Sequence, residues 1–178
     1  MPFAVELYMD SRADTAVREL WQSLVQAGIS SQSLATGARP HISLCVYDSI
    51  DPSLAAKRLE TFAHRIGTIP FQLEAVETFP GSNGVAFLAP GPSEELLEIQ
   101  KTFHKDFVDY RATAFQYYFP EHWKPHCTLA EGISSQEIER AIAVCRRAPL
   151  PIRGLLVQIG LIEFRPIKEI CVFNLGAS

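Results

Sequence analysis

No Cys-x-x-Cys pair occurs among the four cysteines, Cys45, Cys127, Cys145 and Cys171, so no thiolate zinc motif is expected. Their wide spacing reads as free thiols in a cytoplasmic protein. Positive charge is not in excess either. A net charge of −4 argues against a protein that grips long duplex nucleic acid through its phosphates, which takes clustered Lys and Arg. It leaves room for one small or terminal phosphate in a local pocket. No apolar run reaches membrane-spanning length, and the opening MPFAVELYMD carries neither a basic segment nor a cleavage site, so no membrane partner is expected. No linker, low-complexity segment or charge block divides the 178 residues. Hydrophobic residues make up 47%, enough for a core that needs no disulfide or metal. The chain reads as one unit, 1–178, a monomer of two intimately packed lobes over approximately 1–80 and 81–178.

What is present is an alternation of strand and helix patterns. FAVELYM (3–9) alternates Phe3, Val5, Leu7 and Met9 against Ala4, Glu6 and Tyr8, as a half-buried strand does. Val17, Leu20, Trp21, Leu24 and Val25 form a helical stripe that ends at Gly28. HISLCVY is a second strand. Asp51-Pro52 opens a helix running to Gly67. Pro70 to Phe79 and GVAFLA are strands around a PGSNG turn. Ser93 caps a helix whose apolar face is Leu96, Leu97, Phe103 and Phe107. HCTLA is a strand, and Ser134 with Glu137 is a capping box for a helix ending near Ala148. Ile152 to Phe164 and Glu169 to Leu175 are strands around a turn containing Arg165-Pro166. The order strand, helix, strand, helix, strand thus occurs twice, followed by one extra strand. His41 and His126 lie 85 residues apart, and the caps Asp51 and Ser134 lie 83 apart, which reads as an internal duplication. The alternative is that α and β elements alternate by chance, as in many mixed folds.

The duplicated strands carry the chemistry. RPHISL (39–44) and KPHCTL (124–129) share one pattern: basic residue, Pro, His, any residue, hydroxyl, Leu. Side chains alternate faces along a strand, so His41 and Ser43 share one face, His126 and Thr128 another, and Ile42, Leu44, Cys127 and Leu129 face the core. A pseudo-twofold relation brings two imidazoles and two hydroxyls to one cleft. Displacement at phosphorus needs a base for the incoming oxygen and an acid for the leaving one, roles imidazole can fill near neutrality. Hydroxyls can donate to the non-bridging oxygens, where negative charge accumulates.

HISL and HCTL resemble the paired His-x-Ser/Thr motifs of the 2H phosphoesterase superfamily, which includes the 2′-5′ RNA ligase-like proteins and cyclic nucleotide phosphodiesterases. WKPHCTLA is especially similar to the second motif of the 2′-5′ RNA ligase-like branch. The resemblance implies a two-lobed α+β fold, with pseudo-twofold lobes, antiparallel sheets facing a central cleft and helices packed outside. It implies chemistry without metal, cofactor or ATP at 2′,3′-cyclic phosphates or 2′-5′ phosphodiester links. The implied partner is a nucleotide, or an RNA terminus carrying a cyclic phosphate. His41 and His126 would be the acid–base pair, and Ser43 and Thr128 the phosphate ligands. The first motif carries Ser where Thr is common, which preserves the hydroxyl.

Other residues carry weaker signals. Arg39 and Lys124 either neutralise substrate phosphate or are exposed charges at the strand starts. Tyr117, Tyr118, Phe119 and Trp123 could stack a base at the cleft rim, although packing this loop onto the core is the stronger reading. His64, His104 and His122 read as surface histidines. Cys45 and Cys127 read as buried strand cysteines ahead of nucleophiles. One alternative is a binding module that holds a nucleotide or phosphorylated ligand and turns nothing over. A metallohydrolase is disfavoured, because neither motif contains Asp or Glu to complete a ligand set.

Overall fold

The computed structural model describes residues 2–29, 32–79 and 84–176, so the PGSNG turn lies outside the described residues except for Gly84. Strands β1 (Phe3–Met9), β2 (His41–Tyr47), β3 (Ile69–Thr78), β4 (Ala86–Pro90), β5 (Cys127–Ala130), β6 (Ile152–Glu163) and β7 (Lys168–Asn174) fall where alternation placed them. Between them lie α1 (Ser11–Gln26), α2 (Gln32–Ala35), α3 (Pro52–Arg65), α4 (Glu94–Asp106) and α5 (Ser135–Cys145). The short α2 and two 3-10 segments, Val108–Thr113 and Gln116–Tyr118, are additions to the sequence reading.

Local chemistry starts each long helix. Asp10 accepts from the Ala13 N–H at 3.0 Å, and Ser93 Oγ from the Leu96 N–H at 3.1 Å. Asp51 accepts from the Ser53 and Leu54 N–H groups, with Pro52 in the first turn. Ser134 and Glu137 cap each other reciprocally. Val25 and Leu97, read as core-facing, are exposed: each sits at the edge of its helical stripe.

All seven strands form one antiparallel sheet in the order β2-β1-β6-β3-β4-β5, with β7 also on β6. This order is palindromic under exchange of the two sequence halves: β2 corresponds to β5, β1 to β4 and β3 to β6. The third strand of each half therefore lies against the strands of the other. β6 joins the two lobes, pairing β3 through Ile152–Leu156 and β7 through Gln158–Glu163, with β1 along its other edge. Val5, Leu7 and Met9 enter the main core with apolar residues of α1, α3, α4 and α5. On the opposite face Ala4, Val46 and Ile162 form a small second cluster. β1 is consequently buried on both faces, and Glu6 is buried with it, where alternation alone predicted a half-exposed strand.

Both histidine strands lie at the ends of the sheet order and need partners for their outer backbone groups. The loop before β5 supplies some: the Phe115 N–H donates to the Val46 carbonyl at 2.8 Å. Two tryptophans supply others reciprocally. Trp21 Nε1, from α1, donates to the Thr128 carbonyl at 3.0 Å, and Trp123 Nε1 donates to the Ser43 carbonyl at 3.0 Å. Trp21→Phe and Trp123→Phe should each keep the buried ring yet leave a strand carbonyl unpaired. The expected cost is about 1–3 kcal/mol in denaturant unfolding. Unchanged midpoints for both would show that these bonds do not hold the edges.

Candidate functional site

The site is built from two matching β-bulges. In the β1–β2 pair the register slips between Val5 and Glu6, so that Val5 faces Cys45 and Glu6 faces Ser43, with Leu44 as the extra residue. In the β4–β5 pair it slips between Ala86 and Phe87, so that Ala86 faces Ala130 and Phe87 faces Thr128, with Leu129 extra. Each bulge follows the hydroxyl of a His-x-hydroxyl-Leu motif. The two leucines are fully buried, as are Ile42 and Cys127. The bulges also reverse the alternation beyond them. Val46 and Glu131, not Cys45 and Ala130, therefore share the face of the histidines.

That face lines a cavity of about 280 Å³ into which His41, Ser43, His126 and Thr128 all open. The two imidazoles are held alike. His41 Nδ1 lies 2.7 Å from the Arg39 carbonyl oxygen, and His126 Nδ1 lies 2.8 Å from the Lys124 carbonyl oxygen. A carbonyl can only accept, so Nδ1 carries the proton in both rings. Each neutral ring then presents its lone pair at Nε2, and each protonated ring presents an Nε2–H. The residue before each proline thus fixes a histidine tautomer two positions on.

The surroundings of the two rings differ. His41 Nε2 lies 3.3 Å from Oε1 of the buried Glu6, whose Oε2 accepts from the Tyr8 hydroxyl at 3.0 Å. Burial raises the Glu6 carboxyl above its ordinary value, against the opposing pull of His41, the Tyr8 bond and Arg39. His126 instead packs against two phenyl rings, Phe79 with centroids 5.0 Å away and Phe87 at 5.4 Å. Desolvation lowers the His126 pKa, partly opposed by its bond to the Lys124 carbonyl, while His41 and Lys124 push in the same direction as burial. Sequence alone did not single out Glu6, Glu131 or the two phenylalanines. They lie outside both motifs, and only strand register brings them in.

The model of the 2′-5′ RNA ligase superfamily matches residues 9–166. The chain belongs to this superfamily. The fold agrees with solved structures. TT0787 of Thermus thermophilus superposes with a TM-score of 0.65 at 14% identity over 99% of both chains. E. coli LigT complexed with 3′-AMP superposes with a TM-score of 0.56 at 12% identity, over 98% of this chain and 97% of that one. No curated protein sequence matches.

Within this superfamily fold the remaining candidates separate. Tyr118 lines the cavity, with its hydroxyl in hydrogen-bonding range of Ser43; burial pushes that phenol up to about 12. Trp123 does not line it, because its ring is buried and its N–H is taken by Ser43. Arg39 stacks on Tyr8 at 3.9 Å and binds Gln158 Oε1 at 2.8 Å, beside the cavity and not in its wall. Lys124 points to Glu77 at 3.0 Å over the Phe79 and Phe87 rings. His64 and His122 are exposed as expected. His104 is not on a solvated face: it is half-buried between Phe103 and Phe119, which lowers its pKa by desolvation. Among the described residues no group of three or more His, Cys, Asp or Glu could hold a metal ion. No helix among them is long and apolar enough to cross a membrane.

All four cysteines are free. Burial pushes the Cys45 and Cys127 thiols up to about 12, so neither supplies a thiolate near neutrality. Iodoacetamide at pH 8 should leave Cys45, Cys127 and Cys145 of the native protein unmodified, with the half-buried Cys171 labelled first. Peptide mass spectrometry reads the order. Rapid native labelling at Cys45 or Cys127 would mean that a motif thiol is accessible and ionised after all.

Proposed function

We propose that the chain is a phosphoesterase that opens 2′,3′-cyclic phosphates of nucleotides or RNA ends, or acts on 2′-5′ phosphodiester links, by two-histidine general acid–base catalysis. The observation that carries this reading is the matched fixing of both Nδ1–H groups on backbone carbonyls, with both histidines and two hydroxyls at one cavity. One Nε2 takes the proton of the attacking water. The other gives a proton to the leaving ribose oxygen as its bond to phosphorus breaks. Ser43 and Thr128 donate to the non-bridging oxygens.

The charge of the cavity supports a phosphodiester. No Lys or Arg is among its described lining residues, whereas Glu6 and Glu131 are. A cyclic phosphate or an internucleotide link carries one negative charge, but the monoester produced by ring opening carries close to two at neutral pH. Two carboxylates near the phosphate tolerate the first better than the second, which favours product release. E. coli LigT is complexed with 3′-AMP, a phosphomonoester on a ribose hydroxyl, which is the class of product that ring opening leaves. A cytoplasmic monomer acting without a cofactor remains the expected setting.

His41→Ala and His126→Ala should each reduce turnover by roughly a hundredfold or more, the usual size for a lost acid or base. Ser43→Ala and Thr128→Ala should cost less, since each removes one charge-assisted bond worth about 1.5–3 kcal/mol and leaves the proton path intact. Substrates for the assay are 2′,3′-cyclic mononucleotides, RNA with a cyclic-phosphate end and 2′-5′ dinucleotides. Near-wild-type turnover in either histidine variant sinks the mechanism. Binding without turnover across the whole set favours a nucleotide-binding module instead.

Activity on that set should also survive EDTA, because the reading asks only the two imidazoles to move protons. Loss on chelation, with recovery on adding zinc or manganese, would transfer the reaction to a metal centre.

A further inference from the structure

The two halves of the molecule are alike at their histidine bulges and differ in the residue that faces the motif hydroxyl. Glu6 faces Ser43 beside the bulge in the first half, and Phe87 faces Thr128 beside the bulge in the second. Equivalent places next to equivalent histidines therefore hold a carboxylate and a phenyl ring. We propose that Glu6 is a positioning residue that assigns the proton-donor role to His41, leaving His126 as the proton acceptor.

Facing the His41 ring are Glu6 and Tyr8 from β1 and His126 just ahead of β5, while the buried Cys127 thiol meets the His41 backbone from the core side. Arg39, on its own strand's approach, is held by Gln158 of β6 and lies 3.9 Å from Glu169 of β7. Across the cavity stand Tyr118 and Glu131. Of these groups the nearest charge-bearing one is the Glu6 carboxylate at 3.3 Å from Nε2. Facing His126 are Phe79, Phe87, Lys124 and His41, with no anion among them; Glu77 is turned to the Lys124 ammonium.

One proton shared between Glu6 and His41 is stable on either group. On His41 it forms a charged hydrogen bond to a carboxylate that the Tyr8 hydroxyl also supports. On Glu6 it relieves the burial of that carboxylate. Burial raises the Glu6 carboxyl, and its Oε1 lies 3.3 Å from His41 Nε2, so the two groups hold one proton between them. His126, desolvated between phenyl rings and near Lys124 and His41, keeps its lone pair. Neutral His126 and protonated Glu6–His41 are the two states an acid–base reaction must begin with.

This inference rests on the phosphoesterase reading above. In ring opening, water bonds to phosphorus through oxygen and its proton passes to His126 Nε2. The bond from phosphorus to the ribose oxygen breaks on the other side. The developing alkoxide is far more basic than a carboxylate, so it draws the proton held between His41 Nε2 and Glu6. His126 then returns its proton to solvent and the Glu6–His41 pair regains one, closing the balance.

The rate rises with pH as His126 loses its proton, at a pH below that of an ordinary histidine. It falls at higher pH as the Glu6–His41 pair loses its own. Glu6→Gln keeps size and hydrogen bonding and removes the charge. In the profile of kcat/KM with a 2′,3′-cyclic mononucleotide, the alkaline limb should move to lower pH by about one unit or more, with the acid limb nearly fixed. A merely structural Glu6 would lower the whole profile and move neither limb.

A second measurement needs neither turnover nor that variant. NMR titration of the wild-type imidazoles and of the labelled Glu6 carboxyl, assigned with His41→Asn and His126→Asn, should show the Glu6–His41 pair losing its proton at higher pH than the His126 ring. The reverse order overturns the assignment, as does an alkaline limb unmoved in Glu6→Gln. Failure of every substrate would sink the phosphoesterase reading, yet the NMR order would still decide where the proton resides.

Discussion

Two indole N–H groups decide how the histidine strands stand relative to each other. β2 and β5 lie at opposite ends of the sheet order, so neither position is fixed by a full ladder on both sides. Trp21 reaches from the first half to the carbonyl of Thr128, and Trp123 from the second half to the carbonyl of Ser43. The carbonyls taken belong to the residues whose hydroxyls open into the cavity. Each wall of the site is therefore pinned by a buried side chain from the other half. A buried, unpaired carbonyl is costly, so this pairing is a constraint on geometry as well as a source of stability.

The bulges explain why leucine ends both motifs. A leucine that is extra in the register adds a residue to the histidine strand without adding one to its partner. The strand bends, and the side chains beyond the bulge change face. In β2 this sends Cys45 to the core and Val46 to the cavity. In β5 it sends Ala130 to the core and Glu131 to the cavity. An unbroken strand would have placed a thiol beside the hydroxyl and kept Glu131 out. Which side chains line the cavity thus depends on two leucines outside its wall, because their burial fixes where the slip occurs.

Much of this was legible because it is local. Alternation put His41 and Ser43, and His126 and Thr128, on one face, and capping residues located the helix starts to within a residue or two. What was not legible is non-local. The exchange of β3 and β6 between lobes leaves no mark in either strand's own pattern. The partnership of Glu6 with His41 exists only once β1 and β2 pair in one register, and the bulge shifts that register. The aromatic stretch around Tyr117–Trp123 reads chiefly as packing for its loop and only secondarily as a rim for a base, and its pattern does not say which ring does which. Only Tyr118 of the four lines the cavity, and Trp123 faces inward because an edge carbonyl needed a donor. His104 was misplaced for a related reason: its helix face is covered by Phe119 from that same loop, which a helical period cannot foresee.

A duplicated scaffold brings a problem along with its symmetry. It delivers two imidazoles with the same tautomer, the same hydroxyl neighbour and the same backbone anchor. Two identical rings at one cavity would titrate over the same range and repel each other when both are charged. Acid–base chemistry needs them in opposite states at one pH. Neither motif can supply the difference, because the motifs are what the duplication repeats. It has to come from the strands beside them, and there the halves diverge most: a buried carboxylate with a tyrosine donor on one side, two phenyl rings on the other. Symmetry sets where the two imidazoles stand, and the broken symmetry at Glu6 and Phe87 gives them different surroundings.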